Sequence, residues 1–125
     1  MQYKHIEQLA LENENFRKVL FTNKHSQVVL MSIKPGEDIG LEVHQVDQIL
    51  VFVQGTGIAL VNSEEKQISA GDLVDVPSGT QHNFTNTGSE DLKLYTVYAP
   101  AEHADGTIHK TRAEAVEAEA HEHQS

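Results

Sequence analysis

The sequence predicts an all-β fold, a closed barrel or sandwich, on three observations. From residue 16 to residue 98, short stretches rich in Val, Ile, Leu, Phe and Tyr follow one another. Turn residues such as Pro35-Gly36 and Pro77-Ser78-Gly79 separate these stretches, about eight to twelve positions apart. An open sheet of so many short strands leaves exposed edges, so we expect the strands to close on themselves.

The predicted strands follow the apolar stretches in order along the chain. They cover residues 17–22, 27–33, 41–44, 49–54, 58–62, 66–69, 73–76, 82–86 and 92–98. The first fifteen residues are polar and mixed, and they predict an N-terminal arm that is either a short helix or extended. The expected organisation is therefore an arm at 1–15, a barrel at 16–100 and a C-terminal segment at 101–125.

The C-terminal segment carries the signals of a short helix. After Pro100 the sequence changes to AEHADGTIHKTRAEAVEAEAHEHQS, in which Thr111 is the expected N-cap and Glu114 its capping-box partner. We expect a helix of about two turns, frayed from Glu117 onward, because Ala and Glu offer little apolar surface for docking. The histidines at its end, His121 and His123, are expected to be solvated.

Composition excludes several classes of function. With 125 residues the chain is long enough for one domain but not for two. Nineteen acidic and nine basic side chains give a formal charge of -10, so we expect neither nucleic acid nor a membrane as a partner. The chain has no cysteine, so any metal must be held by nitrogen and oxygen. The first sixteen residues lack the pattern of a secretory signal, which predicts a cytoplasmic location.

Two sequence blocks carry the residues suited to chemistry. The first reads G-x5-E-x-H-x3-Q-x6-G over residues 36–55, and the second reads G-x5-P-x-G-x2-H-x3-N over residues 71–86. Together they resemble the two motifs of the cupin family, G-x5-H-x-H-x3,4-E-x6-G and G-x5-P-x-G-x2-H-x3-N. The second block matches at every fixed position. In the first, Glu42 stands where the family has its first His, and Gln48 stands where the family has Glu.

This resemblance implies a small single-domain cupin. Its fold would be a jelly-roll barrel, also called a double-stranded β-helix, with one short C-terminal helix. Cupins commonly pair through their outer strands, and pairing protects exposed sheet edges, so we expect a homodimer.

The strand pattern by itself brings the polar residues together. Glu42, His44 and Gln48 have the same strand parity, so their side chains point to one face, and His82 lies on a second strand. Polar side chains inside a small barrel are unfavourable unless a partner satisfies them. A divalent metal ion would be such a partner.

The family resemblance turns these residues into a predicted ligand set. The usual cupin ligands are three His and one Glu, and the matching positions here are Glu42, His44, Gln48 and His82. One carboxylate remains, so a divalent ion would keep a net charge of about +1. Imidazole and oxygen donors suit Fe, Mn, Ni, Co or Zn, and the sequence does not choose among them. The alternative is a drifted barrel in which these side chains hydrogen-bond to one another or to water.

Residues around the ligands are candidates for the substrate pocket. Phe52, Phe84 and Tyr98 are expected to line the barrel, although plain core packing is the simpler interpretation for an aromatic residue. His103 and His109 follow the last strand and are expected to reach the barrel mouth, unless they are surface histidines.

Two residues are candidates for acid or base catalysis. These are Glu42, as a carboxylate beside the metal, and His109, because an imidazole titrates near neutral pH. Asp47 has the opposite parity to Gln48, so we expect it to face away from the metal and to hold a loop or a neighbouring backbone.

The predicted function is a metal-dependent enzyme, of the dioxygenase, isomerase or lyase type, acting on a small organic molecule bound in the barrel. The alternative is a non-catalytic cupin that binds or senses a small ligand or a metal. A sugar-phosphate isomerase is disfavoured, because the only basic residues near the site in sequence are Lys34 and Lys66.

Overall fold

The structure is a computed structural model that describes the backbone of residues 1–124 and the side chains of residues 1–120. Within these residues the chain forms two helices and ten strands. In chain order they are α1 (Ile6–Glu12), β1 (Arg17–Thr22), β2 (Gln27–Ile33), β3 (Glu42–Val43), β4 (Asp47–Gln54), β5 (Thr56–Val61), β6 (Glu64–Ser69), β7 (Leu73–Val76), β8 (Gln81–Asn86), β9 (Leu92–Ala99), β10 (Ile108–His109) and α2 (Arg112–Gln124).

The strands form two antiparallel sheets that pack as a jelly-roll barrel. One sheet has six strands in the order β10-β1-β2-β9-β4-β7, and the other has four in the order β3-β8-β5-β6. Their inward side chains share one apolar core, which contains Leu50 and Leu94 from the larger sheet and Ala59 and Phe84 from the smaller one. The predicted all-β fold with a C-terminal helix is confirmed.

The period-two pattern that predicted the strands matches their burial. Along β4, Gln48, Leu50 and Phe52 are buried while Asp47 and Ile49 are exposed. The same alternation holds along β8. The sequence did not predict β10, because two residues are too few to show a period and this strand forms only by pairing with β1.

The N-terminal residues form the short helix α1 rather than an extended arm. Lys93, which is only 4% exposed, reaches from β9 to the end of this helix. Its ammonium donates to the carbonyl oxygens of Leu11 at 2.8 Å and of Asn13 at 2.9 Å. These bonds satisfy carbonyls at the helix end and attach the segment to the barrel.

Helix α2 begins as the sequence predicts and continues further. The Glu114 N–H donates to Thr111 Oγ1 at 3.1 Å, which confirms the N-cap. The Glu114 carboxylate accepts from the Lys110 N–H, one residue before the partner expected for a capping box.

The helix extends to Gln124 in the described backbone, further than the two turns expected, and the fraying expected from Glu117 onward stays a prediction. Contacts along the helix attach it to the barrel: Arg112 pairs with Asp38, Ala115 is buried in the core cluster, and Glu119 pairs with Arg17. The side chains of His121 and His123 lie outside the described residues. No helix in the described chain is long and apolar enough to span a membrane.

Candidate metal centre

The register between β3 and β8 brings the first two candidate ligands together. Glu42 pairs directly with His82 across the two strands, and His44 follows immediately after β3. One donor atom from each of these residues lies within 4.8 Å of the others. Nitrogen and oxygen donors bind a transition ion at about 2.0–2.2 Å, so two ligands lie at most about 4.4 Å apart. Small side-chain movements would therefore let all three reach one ion.

His82 is held in the form that a metal requires. Its ring is nearly fully buried, and its Nδ1 lies 2.9 Å from the carbonyl oxygen of Thr80. A carbonyl only accepts, so Nδ1 carries the proton and Nε2 keeps its lone pair. Burial also lowers the pKa of His82, which favours the neutral imidazole.

His44 lies between the other candidate ligands. Its Nε2 contacts the Glu42 carboxylate, and its ring packs against the ring of His82 with centroids 4.9 Å apart. Burial lowers the pKa of His44, but the hydrogen bond and negative charge of Glu42 outweigh burial, so the net shift is upward.

Gln48 presents an unused oxygen to the barrel interior. Its side-chain nitrogen donates to Thr96 Oγ1 at 3.1 Å and to the Tyr98 hydroxyl at 3.2 Å. The Thr96 hydroxyl in turn donates to the Ile49 carbonyl, so it is available as an acceptor for Gln48. Gln48 Oε1 is buried and makes no hydrogen bond of normal geometry in the described part of the chain, although Gln48 lies close enough to His44 to help raise the pKa of that ring.

The residues present fit a divalent transition ion. They supply two imidazoles and a carboxylate at one point, with a buried carbonyl oxygen nearby that lacks a partner. Leaving such an acceptor unsatisfied costs about 1–3 kcal/mol, and a cation would remove this cost. Two His and one carboxylate are also the ligand types of the facial triad in non-haem iron sites.

A cavity of about 440 Å³ opens beside the candidate ligands. Its walls combine β3, the loop after β9 and helix α2. The lining residues are Leu41, Glu42, Val43, His44, Glu102, His103 and Glu119.

The structure separates the predicted pocket residues into two groups. His103 lines the cavity, and its ring packs edge-on against Tyr98 with centroids 5.2 Å apart. Tyr98 is buried below, in contact with His44 and Gln48. Phe52 and Phe84 are fully buried core residues, and neither lines the cavity.

The environment of His103 favours its neutral form, chiefly through burial. Burial, together with the charges of Arg17, His44 and His109, lowers the pKa of His103 to about 3. His109 does not line the cavity; its Nδ1 lies 3.2 Å from Nη1 of Arg17.

Asp47 faces away from the ligands and accepts from the Ser78 N–H at 2.9 Å, as its parity predicted.

Sequence reasoning missed three charged residues at the cavity. Glu102 and Glu119 line it, and the buried Arg17 pairs with Glu119 at 3.2 Å. None of them belongs to either sequence block, and each depends on how the C-terminal segment folds over the barrel. The segment's abrupt change in composition was the only signal available.

The comparisons with known proteins agree with this fold. A cupin domain family model matches residues 29–98. The uncharacterized protein YrkC of Bacillus subtilis is 46% identical over 121 residues, which cover 91% of this chain and 65% of YrkC. The crystal structure of BH2720 from Bacillus halodurans is similar with a TM-score of 0.92 and 40% identity, covering 93% of each chain.

A more distant structure shows the fold alone. An RmlC-like cupin from Shewanella frigidimarina is 23% identical, with a TM-score of 0.65, over 70% of this chain and 77% of that one. The chain spans about two thirds of the length of YrkC, 65%. The family match covers more than half of the chain, so the protein belongs to the cupin family.

Proposed function

We propose that this cupin binds one divalent transition metal ion through Glu42, His44 and His82, with the side-chain oxygen of Gln48 as a fourth donor. The observation that carries the proposal is the convergence of three donor atoms within 4.8 Å beside a buried oxygen without a partner. Fe, Mn, Ni, Co and Zn all accept imidazole and oxygen donors.

We further propose that the bound ion serves an enzyme acting on a small organic molecule, of the dioxygenase, isomerase or lyase type. The ion would supply Lewis-acid chemistry and a point of chelation. The chain's own residues do the rest: Thr80 fixes the His82 ring, and Thr96 and Tyr98 orient the Gln48 amide. The Glu42 carboxylate faces the cavity and is suited to hold or release a proton.

The placement of His109 favours the second candidate function, a cupin that binds a small ligand or a metal without turnover. His109 was a predicted acid or base outside the ligand set, and it lies against Arg17 rather than in the cavity, whereas His103, the other histidine considered for the barrel mouth, lines it. A catalytic role for His109 therefore stays a prediction. In such a role His109 would act through Arg17, which it contacts, and would not touch the ligand itself.

Metal content tests the proposal directly. Untagged protein is purified without chelator or added metal, and its metals are measured by plasma mass spectrometry. We expect about one transition ion per chain, lost in His44→Asn and in His82→Asn. His25→Asn is the matched control, because His25 is exposed and outside the cavity, and it should keep the ion. A chain that stays metal-free, even after titration with each candidate ion, would overturn the proposal.

The homodimer and the cytoplasmic location predicted from the sequence also remain proposals. A groove between the N-terminal segment and the outer face of the six-stranded sheet supports the dimer, because it is largely apolar: Ile6, Phe21, Val28, Tyr95 and Val97 line it beside Gln2 and Lys4. Light scattering after gel filtration should give twice the chain mass, and a monomer would contradict the dimer.

A further inference from the structure

Glu102 lines the metal cavity from a segment that is firmly attached to the barrel. Gln27, fully buried on β2, accepts from the backbone N–H of Glu102 at 3.3 Å and of His103 at 3.1 Å. Its amide nitrogen donates to the His103 carbonyl at 2.7 Å. One buried amide thus makes three hydrogen bonds to two adjacent residues, so the position of Glu102 is built into the fold.

The Glu102 carboxylate is short of partners. Its Oε2 is buried and has no hydrogen-bond partner in the chain as described. Burial raises the pKa of this carboxyl, and the negative charges of Glu42 and Glu119 act in the same direction, against His44 and Arg17. The residue lines the cavity, so its carboxylate is the group that a hydrogen-bond donor entering the cavity would meet.

The cavity lining offers no positively charged side chain to an anionic ligand. Glu119 is balanced by its ion pair with Arg17. The two charges of a bound ion are balanced by Glu42 and Glu102, so the loaded site is neutral overall. None of the seven lining residues is a lysine or an arginine that would receive a carboxylate.

We propose that Glu102 is a specificity-determining residue of the metal cavity, which receives an ammonium or hydroxyl group of a small ligand whose oxygen reaches the metal. The inference rests on the proposed function, since it needs an ion at Glu42, His44 and His82. It names the ligand class: a small amino alcohol or polyol fits, and a hydroxy acid or dicarboxylate does not. Charge-assisted hydrogen bonds to Glu102 supply the preference.

The test uses two probes that differ at one end. Aminoethanol and glycolate both carry a hydroxyl group, and two carbon atoms separate its oxygen from an ammonium nitrogen in the first and from the carboxylate oxygens in the second. The chain is loaded with Co(II), and each probe is titrated while the visible spectrum of the ion is followed. Co(II) affinity is measured first for each protein. The variants are Glu102→Gln and the control Glu65→Gln, an equal change of charge on the exposed face of β6.

In the wild type and in Glu65→Gln, aminoethanol should bind more tightly than glycolate. In Glu102→Gln this preference should fall about tenfold, the effect of one charge-assisted hydrogen bond, while the affinity for Co(II) stays the same. An unchanged preference in Glu102→Gln, or tighter binding of glycolate by the wild type, overturns the inference and leaves the metal centre standing. Loss of Co(II) affinity in Glu102→Gln makes Glu102 a ligand and also overturns it. A wild type that binds no Co(II) overturns the proposed function, and this inference with it.

Discussion

Replacing Gln48 by leucine should affect the metal-free and the metal-loaded protein differently. The side chain is only 3% exposed, and its two ends have different environments: the nitrogen makes two hydrogen bonds and the oxygen makes none. Removing the unsatisfied oxygen relieves about 1–3 kcal/mol, and losing the two hydrogen bonds costs about 0.5–1.5 kcal/mol each. The two effects are of similar size, so the free energy of unfolding of the metal-free protein should fall by no more than about 2 kcal/mol, the cost that remains if the buried Tyr98 hydroxyl finds no other partner.

Gln27→Leu is the matched control. Gln27 is equally buried, but both ends of its amide are satisfied, by Thr22, Glu102 and His103. Leucine there leaves backbone groups of residues 102 and 103 without partners, which should lower the free energy of unfolding by about 3 kcal/mol.

Metal affinity should rank the two variants in the opposite order from stability: Gln27→Leu is the less stable variant, and Gln48→Leu should bind the metal more weakly. Gln48→Leu removes a donor and should weaken metal affinity about tenfold, whereas Gln27→Leu leaves every candidate ligand in place. Urea denaturation in the presence of chelator measures the stability, and titration with Zn(II) or Co(II) measures the affinity. If Gln48→Leu destabilises the metal-free protein as much as Gln27→Leu does, the unused oxygen has been misassigned.

Two further predictions concern the polar groups behind the cavity. His103 has a folded pKa of about 3 against about 6.5 when unfolded, so the unfolded chain binds an extra proton between these values. Stability should therefore fall as pH falls through this range, and His103→Gln should reduce the loss between pH 7 and pH 5 by up to about 2 kcal/mol, measured by urea denaturation with chelator present. An unchanged pH profile would contradict the burial of this ring. Glu119→Ala leaves the Arg17 side chain, 2% exposed, without its carboxylate and should cost about 3 kcal/mol, whereas Arg17→Leu should cost less because the Glu119 side chain is 32% exposed and can hydrate. Chemical denaturation of both variants checks the order, and the reverse order would refute this account of the pair.

The fold and the candidate ligands were predictable because they follow local rules. The alternation of buried and exposed residues in β4 identifies the inward face on which Gln48 lies. The spacing of the second block places His82 after a turn at a strand start, where the structure has it. Local rules also gave the outward direction of Asp47 and the N-cap at Thr111.

The cavity walls were not predictable from local rules. Glu102 and Glu119 reach the site because Gln27 holds one segment and Arg17 holds the other, across more than seventy positions of sequence. Such contacts leave no period or motif in a single sequence. For His109 the sequence predicted a place at the cavity that the structure does not give it. The residue is chemically suitable and follows the last barrel strand, but the pairing of β10 with β1 sets it against Arg17.

The site is divided between the barrel and the C-terminal segment, and this division separates the residues that would set the ligand from those that would hold the metal. The candidate ligands lie on or beside β3, β4 and β8, while Glu102, His103 and Glu119 come from the chain after β9. On the proposed function, substitutions in the C-terminal segment would change which molecule is admitted and leave the ion in place, and substitutions at the ligands would change the ion and leave the entrance unaltered. For protein engineering, the C-terminal segment is the part to randomise when a new ligand is sought, and the barrel is the part to hold constant.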